Sequence, residues 1–154
     1  MPAWILTSIA EGGTLYGLIM AAKAEDGLTK TRHSLLTPDL VQEVTRQVAS
    51  GLRYLHDRGV VHRDIKSKNL LLAADGRLLI ADLGLAKVLL RIGSLTTGTN
   101  TACGSPSYLG PEGGFSSAPS RDLFAMGCIL HEMFLQEDPD PVRRGEQLEL
   151  AVAE

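Results

Sequence analysis

The chain has 154 residues, 44% of them apolar and 21% charged, with a formal net charge of −3; this suits one soluble globular core and leaves little room for two full domains. The mild acidic balance lacks the clustered Lys and Arg that nucleic acid or an anionic membrane surface would require. Cys103 and Cys128 have no zinc-ligand spacing and are too few for a disulfide framework, which favours a reducing compartment, and neither a signal peptide nor a membrane span is expected, because the first residues carry no positive charge and Asp, Lys or Arg breaks each long apolar run.

Trp4 to Thr7 reads as a short strand that enters a turn at Glu11-Gly12-Gly13, and Leu15 to Ala24 has helical character. Ala24 to Ser34 is polar, carries Gly27 and reads as a loop. Thr37-Pro38-Asp39 marks a helix start, with Thr37 as cap, Pro38 at a position that needs no N–H, and Asp39 complementing the helix dipole. Leu40, Val44, Val48, Leu52 and Leu55 then advance in helical steps, leaving Gln42, Glu43, Arg46 and Gln47 for the wet side. The helix should end near Asp57-Arg58-Gly59, where Gly59 suits a left-handed cap.

Leu70 to Ala73 and Arg77 to Ala81 flank Asp75-Gly76, a dipeptide that favours a tight turn between antiparallel strands. Val88 to Ser107 is rich in Gly, Ser and Thr and reads as a mobile segment. Leu123 to Leu135 is apolar on nearly every face, which predicts a buried helix, with Ser120 placed to cap it. From Gln136 the chain turns polar, and a short helix is expected near Glu146 to Ala153 beyond two prolines.

The chemistry concentrates in His62-Arg63-Asp64-Ile65-Lys66-Ser67-Lys68-Asn69, which puts an acid, a cation and an amide on one short loop, with Asp82-Leu83-Gly84 following the hairpin. Phosphoryl transfer needs a carboxylate beside the acceptor hydroxyl, a cation on the moving phosphate and hard oxygen ligands for magnesium. Asp64 supplies the first, Lys66 the second, and Asn69 with Asp82 the third. A lone Asp-Leu-Gly or a lone loop histidine would more often be turn chemistry or a satisfied polar group.

The order of the parts sets these apart. The eight-residue loop, the hairpin, Asp82-Leu83-Gly84, then Gly104-Ser105-Pro106-Ser107-Tyr108-Leu109-Gly110-Pro111-Glu112 and Asp122-Leu123-Phe124-Ala125-Met126-Gly127 resemble the protein kinases in motif and sequence order. Glu11 to Tyr16, the Ile65 to Asn69 wording and Ser105 to Leu109 are similar to NIMA-related serine/threonine kinases. The resemblance implies an α+β, mainly helical fold: a partial kinase-like large lobe over residues 4–135, with a short hairpin and a central buried helix, followed by a divergent polar tail over 136–154. It implies ATP and Mg2+ as cofactors and a protein substrate with a Ser or Thr acceptor, with no nucleic-acid or membrane partner and an oligomeric state left open. A cytoplasmic setting is expected, with nuclear or cytoskeletal association as alternatives.

By the same resemblance Asp64 and Lys66 are the catalytic pair. Thr7 is the gatekeeper, Ser8, Ile9 and Ala10 form the adenine-binding hinge, Leu71 is the floor beneath the adenine, and Lys66, Asn69 and Asp82 face the phosphates, the last two through the metal. Arg63 would hold a phosphate on the activation segment, Thr101 matches the phosphosite, and Ser105 would bond Asp64 and Lys66. Thr7 as a plain strand-end residue and Thr101 as a plain loop residue remain open alternatives. Leu83, Gly110 and Phe124 stand where the family carries Phe, Ala and Trp, and the stretch from Glu112 to Asp122 is short. The Gly-rich loop, the strand lysine and its helix glutamate are not found in the sequence, Lys23 and Lys30 do not sit in apolar strands that could replace the lysine, and an arginine partner for Glu112 is not found either. Two function classes follow: a serine/threonine kinase, or a catalytically inactive kinase fragment that binds protein through the face a small lobe would cover. These residues alone are expected to bind Mg-ATP weakly or not at all. A small-molecule phosphotransferase is disfavoured by Gly104 to Glu112, which resembles the segment that seats a peptide.

Overall fold

Helix α2, Pro38–Asp57, organises the molecule. In this computed structural model, which describes residues 10–29, 35–89, 102–111 and 113–136, Thr37 caps α2 by accepting from Leu40 N at 3.3 Å, and Pro38 opens the first turn. The buried stripe is Val41, Val44, Val48 and Leu52. Val41 takes the place expected for Leu40, and Leu40 and Leu55 are only half-buried at the edges of the stripe. Gln47 does not face water as expected: its Oε1 accepts from Leu78 N at 2.7 Å, so a polar side chain ties the helix to a strand. Gly59 ends the turn at φ 72, and its N donates to His56 O at 2.9 Å.

Two short ribbons follow. Strand β1, Val60–Val61, pairs antiparallel with β4, Lys87–Val88, and β2, Leu70–Leu72, pairs antiparallel with β3, Leu78–Ile80, with Leu71 opposite Leu79. The second ribbon is the hairpin expected around Asp75-Gly76, closed by Ala73 N to Arg77 O at 2.9 Å with Gly76 at φ 82. The first is absent from the sequence reading, since two-residue strands are too short to show alternation.

Helix α1 runs Leu15–Thr29, past Ala24 and through Gly27, where the sequence suggested a loop. A single glycine costs a helix interior only about 1 kcal/mol relative to alanine, too little to stop a helix packed elsewhere along its length. Its start is pinned by Thr14, whose hydroxyl accepts from Gly17 N at 3.1 Å and whose backbone bridges Leu71. Leu15, Ile19 and Ala22 are buried and join Val44, Val48, Leu52, Ile65, Leu70, Ile129 and Met133 in one core.

Helix α3, Ser120–Leu135, crosses that core. Ser120 is its first residue rather than its cap; the cap position is Pro119, and Asp122 N is satisfied by Pro119 O at 3.1 Å. The helix is also not buried on every face. Ala125, Cys128, Ile129 and Met133 are covered, together with the polar Arg121, Asp122 and Glu132, whereas Leu123, Phe134 and Leu135 are exposed. The buried side is therefore the side that carries the charges, which bond to neighbouring loops, and much of the apolar content faces outward. Of the segment expected to be mobile, 102–107 is fastened instead, through Cys103 N to Gly114 O at 3.2 Å and a short turn at Pro106–Tyr108. The expected strand at Trp4 to Thr7, the remainder of the mobile segment over 90–101, and the helix near Glu146 to Ala153 fall outside the described residues. Among the described residues no helix is long and apolar enough to cross a membrane.

Candidate active site

The loop between β1 and β2 is built on buried polar contacts. His62 is fully buried; its Nδ1 accepts from Asp64 N at 3.3 Å, so Nε2 carries the proton given to Ala81 O at 3.0 Å. That bond ties the loop to the residue just before Asp82. Arg63 stands at φ 71, a left-handed conformation uncommon for a side chain of its size. Its backbone is held from both sides, with N donating to Asp122 Oδ1 at 2.9 Å and O accepting from Arg121 Nη2 at 2.9 Å. Asp122 also takes His62 N at 2.9 Å and His56 Nε2 at 2.8 Å, so one buried carboxylate at the start of α3 fixes the loop's entry.

The inverted backbone at Arg63 delivers Asp64 into a ring of donors. Lys66 Nζ lies 2.6 Å from Oδ2 and also donates to Ser105 Oγ at 3.0 Å. Ser105 gives its N–H and hydroxyl to Oδ1 at 3.0 and 2.8 Å, and Asn69 Nδ2 donates to Asp64 O at 2.9 Å and to Oδ2 at 3.2 Å. Burial pushes the Asp64 pKa up, but the hydrogen bonds from Lys66 and Ser105 and the lysine charge outweigh it and hold the carboxyl below its ordinary value. A cavity of about 10 Å³ beside it, lined in part by Ile65, Tyr108 and Leu109, has room for one water.

Asp82 is exposed and left-handed at φ 63, its Oδ1 accepting from Gly84 N at 3.2 Å. It is not in the wall of the Asp64 cavity. The link between the two acids runs through Asn69, whose backbone O accepts from Ala81 N at 2.9 Å while its side chain holds Asp64. Among the described residues no three His, Cys, Asp or Glu side chains cluster to hold a metal ion. By donor chemistry, Asn69 still has its amide oxygen once Nδ2 is given to Asp64, and Asp82 still has a carboxylate oxygen once Oδ1 accepts from Gly84 N. Magnesium commonly takes one or two protein ligands and completes its shell with water and phosphate, so this pair fits it.

Ala10 is half-buried and leads into the turn at 11–13, which sits on the hairpin through Gly12 N to Leu72 O at 2.8 Å and Leu72 N to Gly13 O at 2.9 Å. Leu71, half-buried, is bridged to Thr14 just beyond that turn. Thr7, Ser8, Ile9 and Thr101 lie outside the described residues, as does Glu112. The Arg63 guanidinium donates through Nη2 to Cys103 Sγ.

Several residues that hold the site were not singled out from sequence. Ser67 and Tyr108 both donate to Glu132, at 2.8 and 2.7 Å, which joins the loop, the 106–108 turn and α3 in a buried network. Burial and the Glu132 carboxylate push the Tyr108 pKa well up. The available signal was the occurrence of Arg121, Asp122 and Glu132 in an otherwise apolar helix, because charged residues rarely enter a core unpaired.

Residues 3–153 match the family model described as protein kinase domain. Serine/threonine-protein kinase STE20 of Debaryomyces hansenii is 31% identical over 138 residues, which cover 88% of this chain and 11% of that protein. STE20 of Saccharomyces cerevisiae is likewise 31% identical, over 88% of this chain and 13% of its own length. Serine/threonine-protein kinase Nek4 of Mus musculus is 34% identical over 133 residues, 84% of this chain and 15% of the relative. The chain thus spans only a small part of the length of these relatives, but nearly all of it falls under the one family model: it belongs to the protein kinase domain family.

Proposed function

We propose that this chain carries the catalytic-loop half of a site that transfers the terminal phosphoryl group of ATP to a Ser or Thr hydroxyl of a protein. The observation that carries the reading is the bonded network Asp64–Lys66–Asn69–Ser105, joined through Asn69 O and Ala81 N to the residue before Asp82. In the transfer the acceptor oxygen bonds to the terminal phosphorus, the bond to the bridging oxygen breaks, and the nucleoside diphosphate leaves with that electron pair. Asp64, kept ionised by its donors, orients the hydroxyl and takes its proton late, since a weak base gains little by early abstraction. Lys66 keeps part of its donor capacity beyond Asp64 and Ser105 for charge on the moving phosphoryl group. Asn69 and Asp82 would hold magnesium, which when bound offsets the negative charge of the phosphates. Thr7, Ser8, Ile9, Ala10 and Leu71 are assigned to the adenine end by family resemblance, and Arg63 with Thr101 is assigned a regulatory phosphate. Nek4 among the relatives supports a NIMA-related branch. A cytoplasmic setting is part of the proposal, with nuclear or cytoskeletal association as alternatives; its support is a sequence with two cysteines that lack zinc-ligand spacing and are too few for a disulfide framework.

A second reading, a protein-binding module, has one observation in its favour: Leu83, Leu85 and Val88 expose 53%, 42% and 55% of their surface immediately after Asp82.

Titrating Mn2+-ATP into the isotopically labelled chain tests the first reading. Weak binding should broaden the Asn69 side-chain amide and the Asp82 to Gly84 backbone amides, and Asp82→Asn should remove the effect. Broadening confined to other regions, or unchanged in the variant, would sink the assignment.

A further inference from the structure

Arg121 occupies the first turn of α3, where a cation opposes the helix dipole, and it is only 2% exposed. Local helix energetics therefore disfavour it, and among the described residues no carboxylate pairs with it. What surrounds the guanidinium is a set of four backbone carbonyls from three segments. Nη1 donates to Gly114 O at 2.7 Å and Ser116 O at 3.0 Å, and Nη2 donates to Arg63 O at 2.9 Å and to Cys103 O. A planar fork of N–H donors is the one side chain able to reach all four at once.

Gly104 matches this arrangement. It stands at φ +100, and a Cβ there would run into Arg121 Nη2 and lie 2.8 Å from Arg63 O, so only glycine lets the guanidinium pass between the segment and the loop. The next residue is Ser105, which gives Asp64 both its N–H and its hydroxyl. We propose that Arg121 is a positioning residue that docks 103–105 onto the inverted Arg63 backbone and thereby sets Ser105 against Asp64. The proposal deepens the kinase reading and rests on it for the importance of Asp64, but its geometry involves no ligand.

Amide hydrogen exchange and 13C-carboxyl titration of the labelled chain, compared with Arg121→Met and Arg121→Lys, test it. In Arg121→Met the Ser105 amide should exchange about tenfold faster while the Val48 and Leu52 amides in α2 stay within about twofold. The Asp64 midpoint should move upward in the same variant, and Arg121→Lys should fall between. Unchanged Ser105 exchange and Asp64 titration, or equal acceleration at all amides, would leave Arg121 a general stabiliser and overturn the proposal. If Arg121→Met does not fold, Arg121→Lys and the unaltered chain decide. In the latter, Arg121 Nη resonances should show through-hydrogen-bond couplings to the Arg63 and Cys103 carbonyl carbons, and their absence overturns the docking. These readings need no nucleotide, so a failed Mn2+-ATP experiment would leave them unaffected.

Discussion

Asp122 shows how much of the candidate site rests on one buried carboxylate. It accepts from His62 N, Arg63 N and His56 Nε2, all within 2.9 Å, from a position 1% exposed. Asparagine at 122 would offer one acceptor oxygen and turn an amide N–H2 toward a backbone donor. Because that leaves a buried donor unsatisfied and faces it with another, Asp122→Asn should cost about 3 kcal/mol, read from the shift in the urea midpoint. The Arg63 backbone should lose its left-handed conformation first, visible as faster exchange at the Arg63 amide than in α2. Asp64, Lys66 and Asn69 were legible in the sequence because they fall within one eight-residue motif. The anchoring by Asp122 was not, since its partners lie 59, 60 and 66 residues away and no local pattern encodes such a meeting.

At the scale of elements, legibility followed the strength of local signals. Helix α2 had a cap, a first-turn proline and a regular apolar stripe, and the β2–β3 hairpin had Asp75-Gly76; both formed where expected. The end of α1 and the outward face of α3 were misread because tertiary packing decided them. The turn at 11–13 depends on such packing too. A Cβ on Gly12 would lie 2.7 Å from Leu72 O, a backbone atom that cannot swing aside, whereas a Cβ on Gly51 in α2 would meet only the mobile tip of Ile80 at 2.7 Å. Gly12→Ala should therefore push the turn off the hairpin and destabilise by about 1–3 kcal/mol, with faster exchange at Leu72 N, which donates to Gly13 O. Gly51→Ala, where added helix propensity offsets a small side-chain shift, should stay within about 1 kcal/mol of the parent.

At the scale of the whole molecule, two of the networks that fasten the 62–69 loop contain a group whose pKa shifts on folding: Asp64 with Lys66, Asn69 and Ser105, and Tyr108 with Glu132 and Ser67. They should limit stability at opposite ends of the pH scale. The Asp64 pKa is lowered on folding, so its contribution is complete above the unfolded value near 3.8 and is lost as pH falls through the lower folded value. Stability measured by denaturant at a series of acid pH values should then fall less steeply in Asp64→Asn than in the parent. Tyr108 runs the other way. Its pKa is raised by burial and by the Glu132 carboxylate, so its contribution is complete below the unfolded value of 10.0 and is lost as pH rises toward the higher folded value. Tyr108→Phe removes the hydrogen bond to Glu132 and should cost about 1 kcal/mol at neutral pH. Above the unfolded tyrosine value the parent alone loses the Tyr108 contribution, so the difference between the two should shrink with each step upward. A gap that stays constant across that range would mean that the phenol is not held against Glu132 in solution, and that the 106–108 turn is fastened to α3 by some other contact.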